Sequence, residues 1–421
     1  MTREINRNML QDVINRYFFY LFIFSLFFVI ILYYLIGFLY TDEICALLLF
    51  LLFFYGVLKT PQWEFNKVFL FTLGIFLFYT LYSIGIASNT KRAIFTDLII
   101  NMKPYLGFFC VYQLKPFLDD SKKKLLKDIS MLVWVVYLLP IGLISIVKED
   151  AMDVTFFHPA YYGIAVTIVS LCYLYCSDFT KREKVIFITM LSVGLLTGKS
   201  KFYGFFIVSV FCIVFFENIR YFKLNLKNLL LICSMLAVTV LAAWHKIYIY
   251  FYQAIVASGG KEKNMIARYM LYYTFPDILV DYFPFGSGFA SYATHSSGEP
   301  YSNLYAKYGL DNVWGISKSF HGFISDTYYP SLAQFGVFGI MLFILFWVYI
   351  ISMSIRLYKK GGYIQSKQIV VILLIIGFLA IESTTGSAYI SQGGFFVMMM
   401  IGLILSDMQK TGKEKINIQN L

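Results

Sequence analysis

Long apolar stretches alternate with short polar ones along almost the whole chain. A helix of about 20 apolar residues is long enough to cross a bilayer. Read in this way, the pattern predicts an all-α polytopic membrane protein with about twelve transmembrane helices. The predicted spans cover approximately residues 17–38, 44–58, 68–87, 94–114, 129–147, 160–176, 185–196, 202–216, 228–244, 330–352, 369–381 and 386–405.

One long segment departs from this pattern. Residues 246–329 are rich in Tyr, Phe, Gly and Trp, a composition that argues against disorder. Connections of this length are uncommon unless they are functional or disordered. The predicted organisation is therefore helices 1–9 in residues 1–245, a large, partly helical loop domain in 246–329, helices 10–12 in 330–406, and a tail in 407–421.

Charge orients the chain. The protein has 421 residues, of which 59% are hydrophobic and 14% charged, with a formal net charge of +11. Most Lys and Arg residues lie in the segments 1–16, 59–67, 115–127, 181–184, 220–227, 356–367 and 410–415. With twelve spans these segments share one side, which the positive-inside rule assigns to the cytoplasm. We therefore expect cytoplasmic termini, a loop domain outside, and no nucleic-acid partner.

A few cations are not explained by orientation. Lys199 and Lys201 lie in the turn Leu196-Thr-Gly-Lys-Ser-Lys201, close to the predicted outer boundary of the hydrocarbon. Charges are costly there unless they snorkel or pair. Arg268 follows in an aromatic stretch, and its planar fork suits phosphate. Two interpretations stay open: snorkelled and solvated side chains, or an anion site. Lys103, beside Pro104 inside a span, is expected to face the bundle interior or a wet cavity.

Two histidines could carry chemistry. His321 comes just before the tenth predicted span, and a neutral imidazole can act as a general base near neutral pH. His158 precedes Pro159 at the mouth of the sixth span. A structural role is the alternative for each. The glycine-rich stretch 283–289 is more typical of a turn than of a phosphate cradle.

Several motifs are missing from the sequence. There is no Walker A loop, no HExxH and no Cys/His cluster with metal-ligand spacing. All six cysteines fall inside apolar spans, where a thiol is most often a small apolar side chain. We therefore expect neither a metal nor another cofactor.

Taken in chain order, these motifs resemble those of the bacterial O-antigen polymerase and O-antigen ligase superfamily. The turn ending at Lys201 resembles that superfamily's Thr/Ser-Gly-Ser-Arg turn. The superfamily's Arg…Pro…Gly-x-Gly run is matched by Arg268, Pro284, Gly286 and Gly288. Its His…Glu-x-Gly-x-x-Gly ending is matched by His321, Gln334, Gly336 and Gly339. Its His-Pro helix entry is matched by His158, Pro159, Tyr161, Tyr162 and Gly163. Two positions depart from the pattern, with Lys in place of Arg in the turn and Gln334 in place of Glu.

The resemblance implies a GT-C-type membrane glycosyltransferase of the inner membrane, working at its periplasmic face without a metal. Donor and acceptor would be undecaprenyl-diphosphate-linked oligosaccharides, with inversion at the anomeric carbon. It implies that Lys199, Lys201 and Arg268 bind the diphosphate, that His321 deprotonates the acceptor hydroxyl, and that His158, Tyr162 and Tyr328 contact substrate. Besides the bilayer, a chain-length regulator protein is an expected partner.

Three functions stay open at this point. A polymerase joins one lipid-linked repeat unit to another, whereas a ligase moves the glycan onto lipid A–core. The His158-Pro159 motif favours the polymerase. The third hypothesis is a lipid-linked oligosaccharide flippase or another transporter. Transporters of this size often contain two related halves, whereas this sequence shows no internal repeat.

Overall fold

The computed structural model describes residues 2–32, 37, 40–60, 62–215, 267–361 and 365–419. Within these ranges the chain is helical, and the β pairing there is an isolated bridge between Gly298 and Tyr301. Every predicted span in this part falls on a helix. The span at 228–244 and the loop residues 246–266 lie outside the described residues. Among the described residues, six helices are long and apolar enough to cross a membrane, so this is a helical membrane protein, and the count of about twelve spans stays a prediction.

The described residues up to 215 form ten α-helices, several of which continue into a turn of another helical type. A π-helical turn (Phe28–Leu32) follows α1, another (Trp134–Leu138) joins α5 to α6, and a 3₁₀ turn (Val193–Thr197) follows α9. The ten are α1 (Thr2–Phe27), α2 (Thr41–Lys59), α3 (Lys67–Gly85), α4 (Lys91–Leu114), α5 (Asp120–Val133), α6 (Leu139–Val147), α7 (Ala151–Phe156), α8 (Pro159–Cys176), α9 (Lys181–Ser192) and α10 (Ser200–Phe215).

The described part of the loop domain opens with a helix and continues mainly in turns. It contains α11 (Ala267–Asp281) and the short α12 (Asn303–Lys307). Three long helices follow in the described residues: α13 (Gly336–Gly361), α14 (Ser366–Glu382) and α15 (Gln392–Gln419). One 3₁₀ turn (Tyr329–Phe335) precedes α13, and another (Ala388–Ile390) precedes α15. The tail expected from residue 407 is thus a continuation of α15 as far as Gln419.

Helix α15 forms the centre of the bundle and packs along α4. Its residues 395–405 are all buried. A β-carbon at Gly402 would lie 2.7 Å from the backbone oxygen of Phe108, and one at Gly107 would lie 3.1 Å from the ring of Phe395. Small residues let membrane helices approach closely in this way. The contact fixes α4, which carries buried polar groups toward the loop domain.

Lys103 of α4 confirms the expectation that it faces the bundle interior. The side chain is 4% exposed, and its ammonium pairs with Asp42 and, at 2.6 Å, with Glu43 at the start of α2. A charge inside a membrane protein is costly unless it is paired. This ion cluster therefore ties α4 to α2.

Polar contacts gather at the two ends of the bundle. We call one the basic end (residues 113–127, 177–184, 365–367 and 407–410). There Lys123 pairs with Asp407 at 2.9 Å, and Lys367 donates to the carbonyl of Ser177 at 2.6 Å. The other is the loop end (residues 88–90, 158–160, 197–201, 267–335 and 382–391), where Ser88 donates to the carbonyl of Phe289 at 2.7 Å. The described basic segments that the sequence assigned to one side thus meet at one end.

Candidate functional site

The turn before α10 positions two lysines at the loop end. Gly198 has φ +63°, a left-handed conformation that glycine adopts without steric cost and that reverses the chain here. Thr197 closes the turn, donating to the carbonyl of Gly194 at 2.8 Å and accepting from the amide of Lys199 at 3.3 Å. Lys199 and Lys201 consequently lie at the N-terminus of α10.

His158 faces Lys199. It is the N-cap of α8, and its Nδ1 accepts from the amide of Ala160 at 3.2 Å. A neutral ring bonded in this way carries its proton on Nε2, which lies 3.4 Å from the Nζ of Lys199. Burial, and after it the charge of Lys199, lowers the pKa of His158. Two donors and the N-termini of α8 and α10 thus converge, an arrangement that favours an anion.

Lys201 is held by a buried carboxylate. Its Nζ lies 2.5 Å from Glu382, which is 3% exposed and ends α14. The same nitrogen lies 3.5 Å from the carbonyl of Thr385. The ion pair fastens the turn to the segment Ser383-Thr-Thr-Gly-Ser387, which sequence reasoning did not single out.

Arg268 reaches the same place from α11. It forms an ion pair with Asp326 at 2.6 Å, and both side chains are 31% exposed. The segment 383–387 links the two ion pairs, because Lys201 lies 3.5 Å from the carbonyl of Thr385 and Ser387 donates to the carbonyl of Ser325, the neighbour of Asp326. We call His158, Lys199, Lys201 and Arg268 the cation cluster.

The loop domain contacts the segment that also holds Lys201, while its expected folding over the turn itself stays a prediction. Tyr272 of α11 donates to the carbonyl of Thr384 at 2.8 Å, and Ser387 donates to the carbonyl of Ser325. The segment 383–387 therefore touches the loop domain on one side, while Lys201 contacts it on the other. Three stretches far apart in sequence, residues 197–201, 267–272 and 383–387, are therefore joined by side-chain contacts.

His321 lies beside a different carboxylate. Its Nε2 is 3.5 Å from Glu299, and its Nδ1 is buried without a hydrogen-bond partner among the described residues. A β-carbon on Gly298 would lie 2.9 Å from the imidazole ring, so glycine is required there. Within the described ranges, the structure gives His321 no hydrogen bond or ion pair to the cation cluster. It is connected to Asp326 by consecutive turns, in which the amide of Ile324 donates to the carbonyl of His321.

The glycine-rich loop is a structural clasp, in agreement with the expected turn. Its amides from Gly286 to Ser291 all donate to protein acceptors: the carbonyls of residues 282, 333 and 334 and the side chains of residues 83, 97 and 334. A β-carbon on Gly286 would overlap Gly336, so the two motifs meet backbone to backbone. With its donors used in this way, the loop is not a phosphate cradle.

Asp97 anchors this clasp and was missed by sequence reasoning. It is fully buried in α4 and accepts from the amide of Ala290 at 2.8 Å. A buried carboxylate needs such partners. A lone aspartate in a predicted span carries no motif that would have identified it.

Two tyrosines expected to contact substrate are buried. Tyr162 has no exposed surface and donates to the carbonyl of Leu138 at 2.7 Å, so it packs the bundle and the expected contact is not supported. Tyr328 is 3% exposed and lines a cavity of about 80 Å³ together with Asn101 and Tyr105. The more accessible neighbour is Tyr161, which is 39% exposed and adjoins His158.

Over the described residues, no group of three or more His, Cys, Asp or Glu side chains is arranged to hold a metal ion. No family model matches the chain, and a search of curated proteins gives no match.

Proposed function

We propose that the protein is a polysaccharide polymerase of the O-antigen or capsule type. It would transfer a glycan from an undecaprenyl-diphosphate carrier to a sugar hydroxyl of another lipid-linked repeat unit, at the periplasmic face of a bacterial inner membrane. The basic end would then be cytoplasmic, in line with the positive-inside rule.

The observation that carries this proposal is the cation cluster. Lys199 and Lys201 come from one turn and Arg268 comes from α11, yet contacts through the segment 383–387 bring them together near His158 and the N-termini of α8 and α10. A diphosphate leaving group gathers negative charge as its bond to the sugar breaks. Preorganised cations and helix N-termini stabilise such charge.

The carboxylates of the cluster suggest how the donor is received. Asp326 neutralises Arg268, and the exposure of this pair lets an incoming phosphate oxygen replace the carboxylate. Glu382 is buried and keeps Lys201 in position. Arg268 is thus the cation that exchanges partners, while Lys201 is fixed.

The reaction then needs one proton acceptor. The acceptor oxygen forms a bond to the anomeric carbon while the bond from that carbon to the phosphate oxygen breaks. The electron pair of the broken bond leaves with the diphosphate. The hydroxyl proton passes to His321, the base implied by the motif resemblance, and Glu299 at 3.5 Å favours the imidazolium that forms. Attack from the side opposite the leaving group inverts the anomeric centre.

Deletion of the gene, followed by electrophoresis of the surface glycan, tests the reaction class. A single repeat unit on the final acceptor is the expected result for a polymerase. Complete loss of glycan from the acceptor, with full-length glycan accumulating on the carrier, would instead indicate a ligase. Retention of lipid-linked units on the cytoplasmic side would indicate a flippase.

His321→Gln is expected to abolish polymer ladders without loss of protein from the membrane, because the base is removed. His295→Gln is the matched control, since His295 is an exposed histidine of the same loop domain. Normal ladders from the His321 variant would remove this residue from the mechanism.

A further inference from the structure

Three aromatic rings form an exposed corner in the loop domain. Trp314 is 61% exposed and Phe320 is 44% exposed. The Trp314 ring centroid lies 5.2 Å from those of Phe320 and Phe323, with interplanar angles of 37° and 60°. We call these three residues the aromatic corner. The rings do not stack flat on one another, so aromatic surface stays open to a ligand.

The aromatic corner adjoins both halves of the candidate site. Gly315 accepts from the amide of Phe323 at 2.8 Å, and a β-carbon on Gly315 would overlap the Phe323 ring and lie 3.3 Å from Ala267. Ala267 immediately precedes Arg268, and Phe320 immediately precedes His321. A ligand lying on the rings would therefore be close to the backbone of both Arg268 and His321.

The backbone presents these rings in a fixed arrangement. The Ser317 hydroxyl accepts from the amide of Phe320 at 3.2 Å and lies 3.1 Å from the Phe320 carbonyl as donor. Lys318 and Ser319, between them, are exposed. Aromatic faces thus adjoin polar groups able to form hydrogen bonds.

This combination matches the surface of a sugar. A pyranose ring has a face of C–H groups that stacks on an aromatic ring, and a rim of hydroxyls that bonds to polar neighbours. Ordered aromatic side chains offer large contact area at little cost in side-chain entropy. A simple membrane anchor would use the rings but would leave the adjacent polar groups without a role.

We propose that the aromatic corner binds a pyranose ring of the glycan chain and so holds the saccharide between Arg268 and His321. This inference rests on the proposed function, because it assumes that the site around the cation cluster receives a lipid-linked glycan. Trp314 supplies the principal stacking surface.

The test uses the full-length protein in lipid nanodiscs, with Trp314→Ala and Trp314→Phe as variants. Phe283→Ala is the matched control, because Phe283 is an equally exposed aromatic (70%) of the same domain outside the corner. The ligand is the oligosaccharide released by mild acid from the host's lipid-linked pool, and its binding is measured by calorimetry. We expect about tenfold weaker binding for Trp314→Ala, a smaller loss for Trp314→Phe, and none for Phe283→Ala.

Unchanged glycan binding by a Trp314→Ala variant with a normal unfolding temperature would overturn the proposal. So would strong quenching of Trp314 fluorescence by brominated lipids together with unchanged glycan binding, since the rings would then lie in the membrane. Trp314-dependent binding of the glycan by a protein whose deletion leaves polymer length normal would uphold the binding site and refute the polymerase function instead.

Discussion

The two ends of the helical bundle both contain Lys–carboxylate pairs, but the pairs are embedded differently. At the basic end, Glu183 pairs with Lys127 and also accepts from the hydroxyl of Thr180 at 2.9 Å. Asp407 pairs with Lys123 at 2.9 Å and accepts from the hydroxyl of Tyr175 at 2.6 Å. Glu183 and Asp407 are thus each held by an ammonium group and a hydroxyl group of the protein.

At the loop end, one of the ion pairs is far more exposed. Lys201 pairs with the buried carboxylate of Glu382, but the carboxylate of Asp326, which pairs with Arg268, is 31% exposed, against 8% for Asp407 and 10% for Glu183. Charged groups with perturbed surroundings cluster at functional sites. In our proposal, the pairs of the basic end hold helices together, whereas the exposed pair of the loop end receives an anion.

The largest effect is expected at Lys201. Lys201→Ala leaves the buried carboxylate of Glu382 unpaired, which typically costs about 3–5 kcal/mol, and it removes a diphosphate cation. Thermal unfolding in detergent and polymer ladders should both show the loss.

Glu382 provides the control for Lys201. The double variant Lys201→Met/Glu382→Leu has no unpaired charge, so it should regain most of the lost stability while remaining inactive. Recovery of activity together with stability would mean that Lys201 has only a structural role.

Arg268 is the next test. Arg268→Ala removes a charge-assisted contact to the leaving group, and we expect kcat/KM for the lipid-linked donor to fall about 100-fold. Because the side chain is partly exposed, the unfolding temperature should change little. Lys307→Ala, which removes a cation from an exposed ion pair with Asp281 in the same domain, should leave donor use unchanged.

Asp326 should give a smaller effect of opposite sign. Asp326→Asn removes the competitor for Arg268 but keeps the shape of the side chain. We expect the KM for the donor to fall about threefold, with kcat nearly unchanged, in line with the small energies of exposed pairs. A large loss of kcat would instead give Asp326 a direct part in the chemistry.

The apolar pattern predicted the helices well, because membrane spans are determined by local composition. The turn at Gly198 and the two lysines that follow it were also visible in the sequence, since together they form a short motif. These features depend on residues that lie close together in sequence.

The partners of the charged residues could not be predicted in this way. Glu382, Asp326 and Asp97 belong to no sequence motif that would identify their partners. Their roles depend on contacts between residues more than 50 positions apart. The buried position of Tyr162 likewise follows from the packing of α8 against the preceding helices, which a motif does not specify.

The smallest effect is expected at the basic end. Burial opposes the charged form of Glu183, but the bonds from Lys127 and Thr180 outweigh it and lower its pKa to about 2. A lowered carboxylate pKa stabilises the fold above the unfolded value of about 4.5, and this stability is lost as the pH falls toward 2. Lys127→Met should therefore cost about 1 kcal/mol at pH 7 and weaken the acid dependence of unfolding, with polymer length unchanged. A change in polymer length would mean that the basic end also takes part in the reaction, and the distinction between the two ends would fail.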